Sequence, residues 1–436
     1  ELILLLMRQQ TLDRDGAVRQ AREVYGSEAA EEADAFLKDL EERILTGGPP
    51  TVVIGDFWYF GPDQPPENER WWGFWNSLSG DESFDSVALD ALDRASTRIL
   101  GSNPAPWTTP SGSRGLVLGH VQSGKTTNFT ALIAKAADAG YRLVIVLAGL
   151  TNSLRQQTQV RLDMQLELDS GLWQKLTSAD DEAGGRSGDF SRTPNPAAAV
   201  MKNEDAPLVA VIKKNGPRMK RLHDWLAKAP EEIFETHATL VIDDEADQAS
   251  INTGTGANRS AINRHIEKLL SLTNGAYVGY TATPFANVLA NPDDEASLYP
   301  RNFIIELGRP RGYMGPEELF GRDAITGVVD DTPDDGYDMI RHVPVEDAEI
   351  LRPPSRPRED REAWEAPDPD ATPSLKKAVE YFVLATAARR ARGQHGHSSM
   401  LIHTTMFVDP QEAMRRPVEK AISNFVSSID DEAFLE

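Results

Sequence analysis

The sequence predicts an α/β fold in which a parallel sheet holds a phosphate-binding loop. Three observations lead to this prediction. Short apolar runs alternate with helical patterns from residue 115 onwards, a polar loop with two glycines follows the first run, and acidic or hydroxyl residues follow two later runs. Apolar strands separated by helices are typical of a parallel sheet that is covered on both faces.

Strands and helices alternate along residues 111–310, which we predict to form one α/β domain. The predicted strands are GLVLG at 115–119, RLVIVLA at 142–148, LVAVI at 208–212, TLVID at 239–243 and YVGYT at 277–281. The predicted helices lie near 126–139, 152–167, 217–229 and 259–273. The segment 178–206 is rich in Gly, Asp, Pro and Ser, so we expect an exposed insertion there.

The remaining sequence divides into three further regions. Residues 1–110 are predicted to be mostly helical, and residues 311–373 are acidic and Pro-rich, which indicates a linker or a loose insertion. Residues 374–436 begin with a helical pattern and then an apolar run at 399–406, which predicts the start of a second α/β lobe. A tryptophan-rich patch in the N-terminal region forms either a small core or a platform for stacking bases; its residues are Trp58, Trp71, Trp72 and Trp75.

Composition restricts the class of protein. The chain has no cysteine, which excludes disulfides and thiolate metal sites and suits a reducing, cytoplasmic setting. The apolar run at 2–7 is too short to cross a bilayer and lacks the features of a signal peptide, so we expect no membrane association. The first residue is Glu1 rather than Met, which suggests a piece of a longer chain.

Charge is distributed unevenly along the chain. The net charge of −23 argues against a simple nucleic-acid coat protein. Residues 111–160 nevertheless carry a net charge of +4, from five basic residues and one acidic residue. Residues 211–230 carry +5, from six basic residues and one acidic residue. The sequence therefore allows a basic track on an acidic body.

The stretch GHVQSGKT at 119–126 fits the phosphate-binding pattern GxxxxGK[ST]. Glycines let successive backbone N–H groups point at an anion, and the N-terminus of the following helix adds partial positive charge. We expect Lys125 to contact the β and γ phosphates and the Thr126 hydroxyl to hold Mg²⁺. The predicted nucleotide-binding residues are Gly119, Gln122, Ser123, Gly124, Lys125, Thr126 and Thr127.

A second candidate element is LVIDDEAD at 240–247, a strand that ends in carboxylates. In α/β sheets ligands bind at the carboxyl ends of the strands. We predict that Asp244 holds Mg²⁺ through water and that Glu245 acts as general base toward the attacking water. Asp243 is an alternative for the magnesium role because the register is uncertain by one residue. The alternative for the whole stretch is a solvated acidic helix start.

A third element is GYTATPFAN at 279–287, where a strand ends in small hydroxyl residues. Thr281 and Thr283 are predicted to hydrogen-bond the acidic cluster, including Asp247, and to couple it to a second lobe. The alternative is an ordinary strand end before Pro284.

Two segments after strands are candidates for contact with a nucleic-acid backbone. One is GLTNSLRQQTQVR at 149–161, and the other is the pair of lysines after the third strand. Each has an alternative as an ordinary capped surface segment. The predicted nucleic-acid-binding residues are Thr151, Asn152, Arg155, Gln156, Lys213 and Lys214.

The order of these motifs resembles superfamily-two helicase-like ATPases, whose motor has two RecA-like lobes. More specifically, RGLVLGHVQSGKTTN, GYRLVIVLAGLTNSLRQQTQVRLD, VIDDEAD and GYTATPFANVL look like the Z-one (Z1) domain family. The resemblance covers 115–310 strongly and 60–110 and 374–412 more weakly. It implies a RecA-like P-loop core, the cofactors ATP and Mg²⁺, and action on DNA in bacterial antiviral or restriction-like defence. It also implies a partner such as a MORC or Hsp90-type ATPase or a nuclease.

One departure from the helicase pattern leaves two alternatives open. Helicase-like motors supply an arginine finger from the second lobe, whereas Arg389, Arg390 and Arg392 lie on a predicted helix and match that role poorly. A nucleotide-gated switch that recruits an effector without turnover is therefore one alternative. A DNA endonuclease is the other, although no nuclease constellation is recognisable in this chain.

Overall fold

The computed structural model gives the protein as two compact units, Glu1–Gly315 and Pro316–Glu436, within which most but not all residues are described. The described residues are 14–27, 29–31, 34, 35, 38, 51–53, 57–62, 69–81, 84–108, 112–121, 123–180, 188–191, 193, 195–202, 206–248, 261–292, 294, 297–324, 333–337, 339–354, 357–366, 372–405 and 407–429. Everything that follows concerns these residues.

The first unit alternates strands with helices. Its strands are β1 (Thr51–Val53), β2 (Arg114–Leu118), β3 (Leu143–Leu147), β4 (Gln174–Lys175), β5 (Leu208–Ile212), β6 (Thr239–Asp244), β7 (Ala276–Thr281) and β8 (Phe303–Glu306). Its helices are α1 (Arg14–Tyr25), α2 (Glu69–Ser79), α3 (Ser86–Gly101), α4 (Lys125–Ala139), α5 (Asn152–Gln165), α6 (Ala197–Met201), α7 (Gly216–Leu226), α8 (Glu232–Thr236), α9 (Ala261–Thr273) and α10 (Phe285–Val288). All five predicted strands and all four predicted helices are present.

The strands form one eight-stranded sheet in the order β1-β8-β2-β7-β6-β3-β5-β4. Seven strands are parallel, and β1 joins the edge antiparallel to β8. In the registers of β7 with its neighbours, Leu118 of β2 pairs with Thr281 and Asp244 of β6 pairs with Tyr280. The phosphate-loop strand and the acidic strand therefore end at the same edge of the sheet, separated by one strand.

The predicted α/β class with a parallel sheet is confirmed. The N-terminal region, predicted to be mostly helical, also contributes the edge strand β1. Strands β1, β4 and β8 were not predicted, because segments of two to four residues are too short to establish an alternating pattern.

Apolar side chains cover both faces of the sheet. Along β3, Val144 and Val146 belong to the core beneath the N-terminal helices, while Leu143, Ile145 and Leu147 belong to the core on the other face. This alternation follows from the two-residue period of a strand. Burial on both faces explains why the strand sequence is continuously apolar.

The tryptophans of the N-terminal region belong to the first of these cores. Trp58 and Trp71 are buried, while Trp72 and Trp75 are partly buried and pack against the same cluster. The interpretation as a core is therefore confirmed for Trp58 and Trp71, whose rings are not exposed to stack on bases.

The second unit is helical in its described part. It contains α11 (Pro316–Phe320), α12 (Val345–Leu351), α13 (Arg358–Glu362), α14 (Pro373–Ala391) and α15 (Val408–Ile429). The strand predicted at 399–406 is wrong over residues 399–405, which are irregular. Among the described residues of this unit, the β-pairing is one isolated bridge between Arg322 and Asp334. The apolar segment 399–405 therefore has no neighbouring strand with which to pair.

No helix in the described part of the chain is both long enough and apolar enough to span a bilayer.

Candidate nucleotide-binding site

The loop between β2 and α4 begins and ends at glycines, Gly119 and Gly124. Gly124 has a φ of +90° and caps α4 in the left-handed conformation, which a glycine adopts without a steric penalty. At the other end of the loop, a Cβ on Gly119 would lie 2.6 Å from Cγ of Lys125. The Lys125 side chain therefore folds back over Gly119, and any larger residue there would displace it.

The His120 carbonyl is the centre of the hydrogen bonds within this loop. Ser123 donates to it from its backbone N–H (3.2 Å) and from Oγ (2.8 Å). Lys125 donates to the same carbonyl from Nζ at 3.2 Å. The ammonium of Lys125 is thus held against the backbone of the loop. The predicted residue Gln122 lies outside the described residues.

The first turn of α4 is fixed to the sheet behind the loop. Thr126 and Thr127 are half-buried in this turn. The neighbouring Asn128 is buried and accepts a hydrogen bond from the Tyr280 hydroxyl of β7 at 2.9 Å. This bond ties the phosphate-loop helix to the strand that separates it from the acidic residues.

The two aspartates at the end of β6 have different environments. Asp243 is fully buried, forms an ion pair with Lys214 at 3.0 Å and accepts a hydrogen bond from the Tyr277 hydroxyl at 2.7 Å. Asp244 is half-buried. Because Asp243 is occupied inside the fold, Asp244 is the aspartate that remains for a cation.

The electrostatics of Asp244 link the acidic residues to the phosphate loop. Burial, and secondarily the negative charge of Glu245, raise the pKa of Asp244 to about 6, while Lys214 and Lys125 lower it. The influence of Lys125 means that the lysine of the loop acts electrostatically on the carboxylate at the end of β6. A divalent cation beside Asp244 would relieve the repulsion between the carboxylates of Asp244 and Glu245.

Glu245 has an unusual backbone conformation. Its φ of +54° lies in the left-handed region, which costs about 1 kcal/mol for a residue with a Cβ. Lys214 holds this turn, because its Nζ donates to the carbonyl of Glu245 at 2.6 Å and to that of Gln248 at 3.2 Å. Strained residues of this kind concentrate at functional sites. Lys214 was predicted to bind nucleic acid, and no local sequence pattern indicates this role at the turn.

The third predicted element contacts the acidic residues directly. Thr281 Oγ1 donates to Asp247 Oδ1 at 2.7 Å, and Thr283 Oγ1 donates to Asp247 Oδ2 at 2.8 Å. The Thr281 carbonyl accepts from the backbone N–H of Gly119 at 3.0 Å. One strand end thus bonds both to the acidic residues and to the phosphate loop.

Several residues predicted to bind nucleic acid are accessible at the sheet edge. Thr151 is the exposed N-cap of α5 and accepts a hydrogen bond from the backbone N–H of Leu154 at 3.3 Å. Asn152 and Gln156 are exposed. The Lys213 side chain is half-buried and hydrogen-bonds to Asn152. These side chains line the edge that follows β3 and β5.

Two of the predicted nucleic-acid contacts are wrong, because the side chains are buried. Arg155 is 2% exposed and donates to the carbonyl of Ala179 at 2.9 Å, beneath the surface of α5. Lys214 is also 2% exposed and is the counter-ion of Asp243. Neither charge is accessible to a strand outside the protein.

The residues at this edge fit a nucleoside triphosphate with Mg²⁺. The fit rests on the glycine cradle, whose space a Cβ would fill, and on the charges of Lys125 and Asp244. No group of three or more His, Asp or Glu side chains at metal-binding spacing occurs among the described residues. Mg²⁺ beside phosphates needs only one or two protein carboxylates, so this arrangement suits it.

Comparison with protein families locates one match. Residues 374–434 match the Z1 domain. The resemblance to the Z1 domain is thereby confirmed over a segment that contains α14 and α15, where the resemblance was expected to be the weaker. The matched Z1 residues do not include the phosphate loop. Comparison with curated proteins gives no match.

The structure is also similar to solved structures of nucleic-acid enzymes, at low TM-scores. The UvsW helicase from bacteriophage T4 is 16% identical, with a TM-score of 0.27 over 44% of this chain and 54% of that one. Mss116p bound to single-stranded RNA and AMP-PNP is 18% identical, with a TM-score of 0.28 over 54% and 45%. A Type ISP restriction-modification enzyme, LlaGI, in complex with a DNA substrate mimic is 14% identical, with a TM-score of 0.29 over 57% and 20%.

The chain spans about half the length of the first two proteins and a fifth of the third. At TM-scores this low, the similarities carry no argument about function. The function proposed below rests instead on the residues at the sheet edge.

Proposed function

We propose that the chain is an ATP- and Mg²⁺-dependent, helicase-like NTPase that acts on DNA, with a RecA-like P-loop core. The observation that carries this proposal is the geometry of the sheet, in which β2, leading into the loop of Lys125, and β6, ending at Asp244, finish at the same edge with one strand between them. A phosphate-loop lysine and a strand-end carboxylate in this relation are the pair that a magnesium triphosphate needs. The resemblance of the motifs supports DNA, and bacterial antiviral or restriction-like defence, as the setting.

Each residue has a distinct task in this mechanism. The backbone N–H groups around Gly124 and the ammonium of Lys125 bind the β and γ phosphates. The Thr126 hydroxyl and the Asp244 carboxylate hold the cation, which supplies charge neutralisation when it is bound. Glu245 accepts the proton of the attacking water as general base. Asp247, held by two threonine hydroxyls, couples the acidic turn to the strand end.

The test measures Mg²⁺-dependent ATP hydrolysis with and without DNA in the wild type and two variants. We expect Glu245→Gln to reduce turnover about 10²- to 10⁴-fold while ATP still binds, because a general base contributes a factor of that order. Lys125→Ala is expected to abolish ATP binding. Matched controls are Glu235→Gln and Lys202→Ala, which remove the same charges at exposed positions elsewhere. Equal turnover in all five proteins would end this proposal.

The setting in the cell is proposed from the resemblance alone. We propose a cytoplasmic protein that works with a partner, such as a MORC or Hsp90-type ATPase or a nuclease of the same defence system. Addition of the purified partner is expected to change the ATP turnover of this chain. No change in turnover and no co-elution would contradict this.

A nucleotide-gated switch without turnover is a second candidate, favoured by one contact on the loop. The Tyr313 hydroxyl donates to the carbonyl of Val121 at 2.6 Å, and its ring lies 5.3 Å from that of His120. Tyr313 precedes the last residue of the first unit, Gly315, by two positions. A change in the loop on phosphate binding would therefore be felt at Tyr313, near the end of this unit. Tight ATP binding with no hydrolysis, with or without DNA and partner, would favour the switch.

No described group of residues favours an endonuclease, which is the remaining alternative. Metal-dependent DNA cleavage that persists in Lys125→Ala would nevertheless support it.

A further inference from the structure

The helices α7 and α9 border an open groove that the proposed nucleotide site does not use. The groove has a volume of about 710 Å³ and is lined by Lys220, Arg221, Asp224, Lys228 and His265, among others. We call it the basic groove. The helices approach closely at its start, where a Cβ on Gly216 would lie 3.5 Å from Nε2 of His265.

The basic groove is a positively charged surface on an acidic chain. Residues 216–228 and 261–273 together contain six Lys or Arg and two Asp or Glu, a net charge of +4, whereas the whole chain has −23. Burial lowers the pKa of His265, and the nearby charges of Lys268, His223, Arg264 and Lys220 lower it further. Both cationic side chains that flank His265 on α9, Arg264 and Lys268, are exposed.

The cations of the basic groove differ in how strongly the fold occupies them. Arg221 donates to the carbonyls of Phe190 and Ser191, so it serves the fold. Lys220 is 65% exposed and pairs only along its own helix with Asp224, which is a weak surface pair. Within the described residues, Lys228, Arg264 and Lys268 have no ion-pair or hydrogen-bond partner. Of these three, Lys228 lines the groove, whereas Arg264 and Lys268 are exposed on α9 outside its lining. Lys220 and Lys228 are therefore the groove charges that an external anion can reach.

The chemistry of the groove favours a nucleic acid over a protein partner. Protein interfaces have an apolar centre, and none of the exposed large apolar side chains in the described part of the chain lies on α7 or α9. Trp225, which lines the groove, is 2% exposed. A surface of lysines and arginines without apolar anchors suits phosphates, which receive half to two-thirds of protein–DNA hydrogen bonds.

We propose that the basic groove binds the phosphate backbone of a nucleic-acid strand through Lys220 and Lys228. This inference rests on the proposed action on nucleic acid and gives that substrate a binding surface. The N-terminal end of α7 follows β5, so the groove begins beside the edge that holds the acidic turn. It supplies the accessible charge that the buried side chains of Arg155 and Lys214 do not.

The test measures binding of a fluorescent single-stranded oligonucleotide by anisotropy, as a function of salt, with the whole chain. Lys220→Gln/Lys228→Gln is expected to weaken binding about five- to tenfold at physiological salt. It should also reduce the slope of log Kd against log salt by about 1.4, since each contact to a single strand contributes about 0.7. The control Lys202→Gln/Lys377→Gln removes two exposed charges elsewhere and should leave both quantities unchanged.

A second variant excludes misfolding as the cause. Among the described residues that line the groove, Asp224 is the only acidic one, so Asp224→Asn should tighten binding about two- to threefold, a gain that damage to the fold cannot produce. Lys220→Arg/Lys228→Arg keeps both charges and should bind as the wild type does. Unchanged binding in the Gln pair, or an equal loss in the control pair, would overturn the inference. Binding of an acidic polypeptide but not of the oligonucleotide would overturn it too.

The outcome is independent of hydrolysis. Basal ATP turnover without DNA should be the same in the groove variants and the wild type. If no variant and no wild-type protein hydrolyses ATP, the proposed enzyme fails while the oligonucleotide measurement still decides the groove.

Discussion

Among the described residues of the first unit, two lysines are fully buried, Lys135 and Lys214, and they have different tasks. Lys135 of α4 donates to Asp93 Oδ1 at 2.5 Å and to Thr97 Oγ1 at 2.8 Å, and its Nζ lies 4.1 Å from the centre of the Trp71 ring. Burial lowers its pKa to about 8, although Asp93 opposes this. Its anionic partner is 32% exposed. Lys135 therefore joins α4 to α3 through an ion pair whose aspartate is partly hydrated.

Lys214 has a partner that is as buried as itself. Asp243 and Lys214 are both 0% exposed in their side chains, and Nζ also donates to the carbonyls of Glu245 and Gln248. Lys135 thus stabilises helix packing, whereas Lys214 also fixes the backbone on which the proposed general base stands. Burial alone therefore does not distinguish a lysine that only stabilises packing, such as Lys135, from one that positions a candidate site, such as Lys214. The distinction lies in what the ammonium bonds to.

The largest effect on the free energy of unfolding is expected for Lys214→Met. Removal of one partner from a buried ion pair costs about 3–5 kcal/mol, since Asp243 is left as an unpaired charge. We also expect turnover per folded molecule to fall about a hundredfold, because the strained turn at Glu245 loses its support. Chemical denaturation and ATP turnover normalised to folded protein measure the two effects.

The double variant Lys214→Met/Asp243→Asn separates these effects. It removes the unpaired charge, so most of the stability should return while turnover stays low. Recovery of turnover together with stability would show that Lys214 acts only through the fold.

Lys135→Met is the matched variant in the other region, and its effect should be smaller. Loss of charge-assisted hydrogen bonds to a partly exposed partner costs about 2 kcal/mol, and turnover per folded molecule should not change. Stability also depends on pH, because the pKa of Lys135 is about 8 in the fold and 10.5 when unfolded. Between these values the unfolded state binds more protons, so the wild type should gain stability relative to Lys135→Met as pH rises from 8 to 10.5. A constant difference would contradict the assignment.

These two lysines also indicate what a sequence can predict. The strand ends and the glycine loop were predictable, because apolar runs and the phosphate-binding pattern depend on local spacing. The direction of Lys214 was not, since it depends on β6 lying two places from β5 and on Asp243 facing the same interior. Arg155 is hidden for a similar reason, because Ala179 belongs to a segment that returns over α5 only in the fold. Tyr313 lies 192 residues after Val121, so no local sequence pattern predicts its contact with the phosphate loop.

Asp244→Asn should raise the free energy of unfolding, whereas the two lysine variants lower it. The reason is that the ionised carboxylate of Asp244 destabilises the folded state. The pKa of Asp244 is raised from 3.8 to about 6, so the folded state binds more protons between these values and stability falls as pH rises through 6. Above pH 6, without Mg²⁺, Asp244→Asn should be more stable than the wild type by about 1–2 kcal/mol, after allowance for the partial exposure of the carboxylate. Below pH 4 the two proteins should unfold alike. ATP turnover should fall severely in the same variant.

Tyr313→Phe should have the smallest effect on stability, since its hydrogen bond lies at an exposed position. Loss of one neutral hydrogen bond at the surface costs about 0.5 kcal/mol, and the ring beside His120 is retained. Because the hydroxyl donates to the carbonyl of Val121 inside the phosphate loop, we expect ATP affinity to change about two- to threefold while unfolding is almost unaffected. Tyr337→Phe, an exposed tyrosine of the second unit, is the control. If Tyr313→Phe and this control bind ATP equally, the contact does not reach the nucleotide, and the loop is shaped by its own residues and the strands behind it.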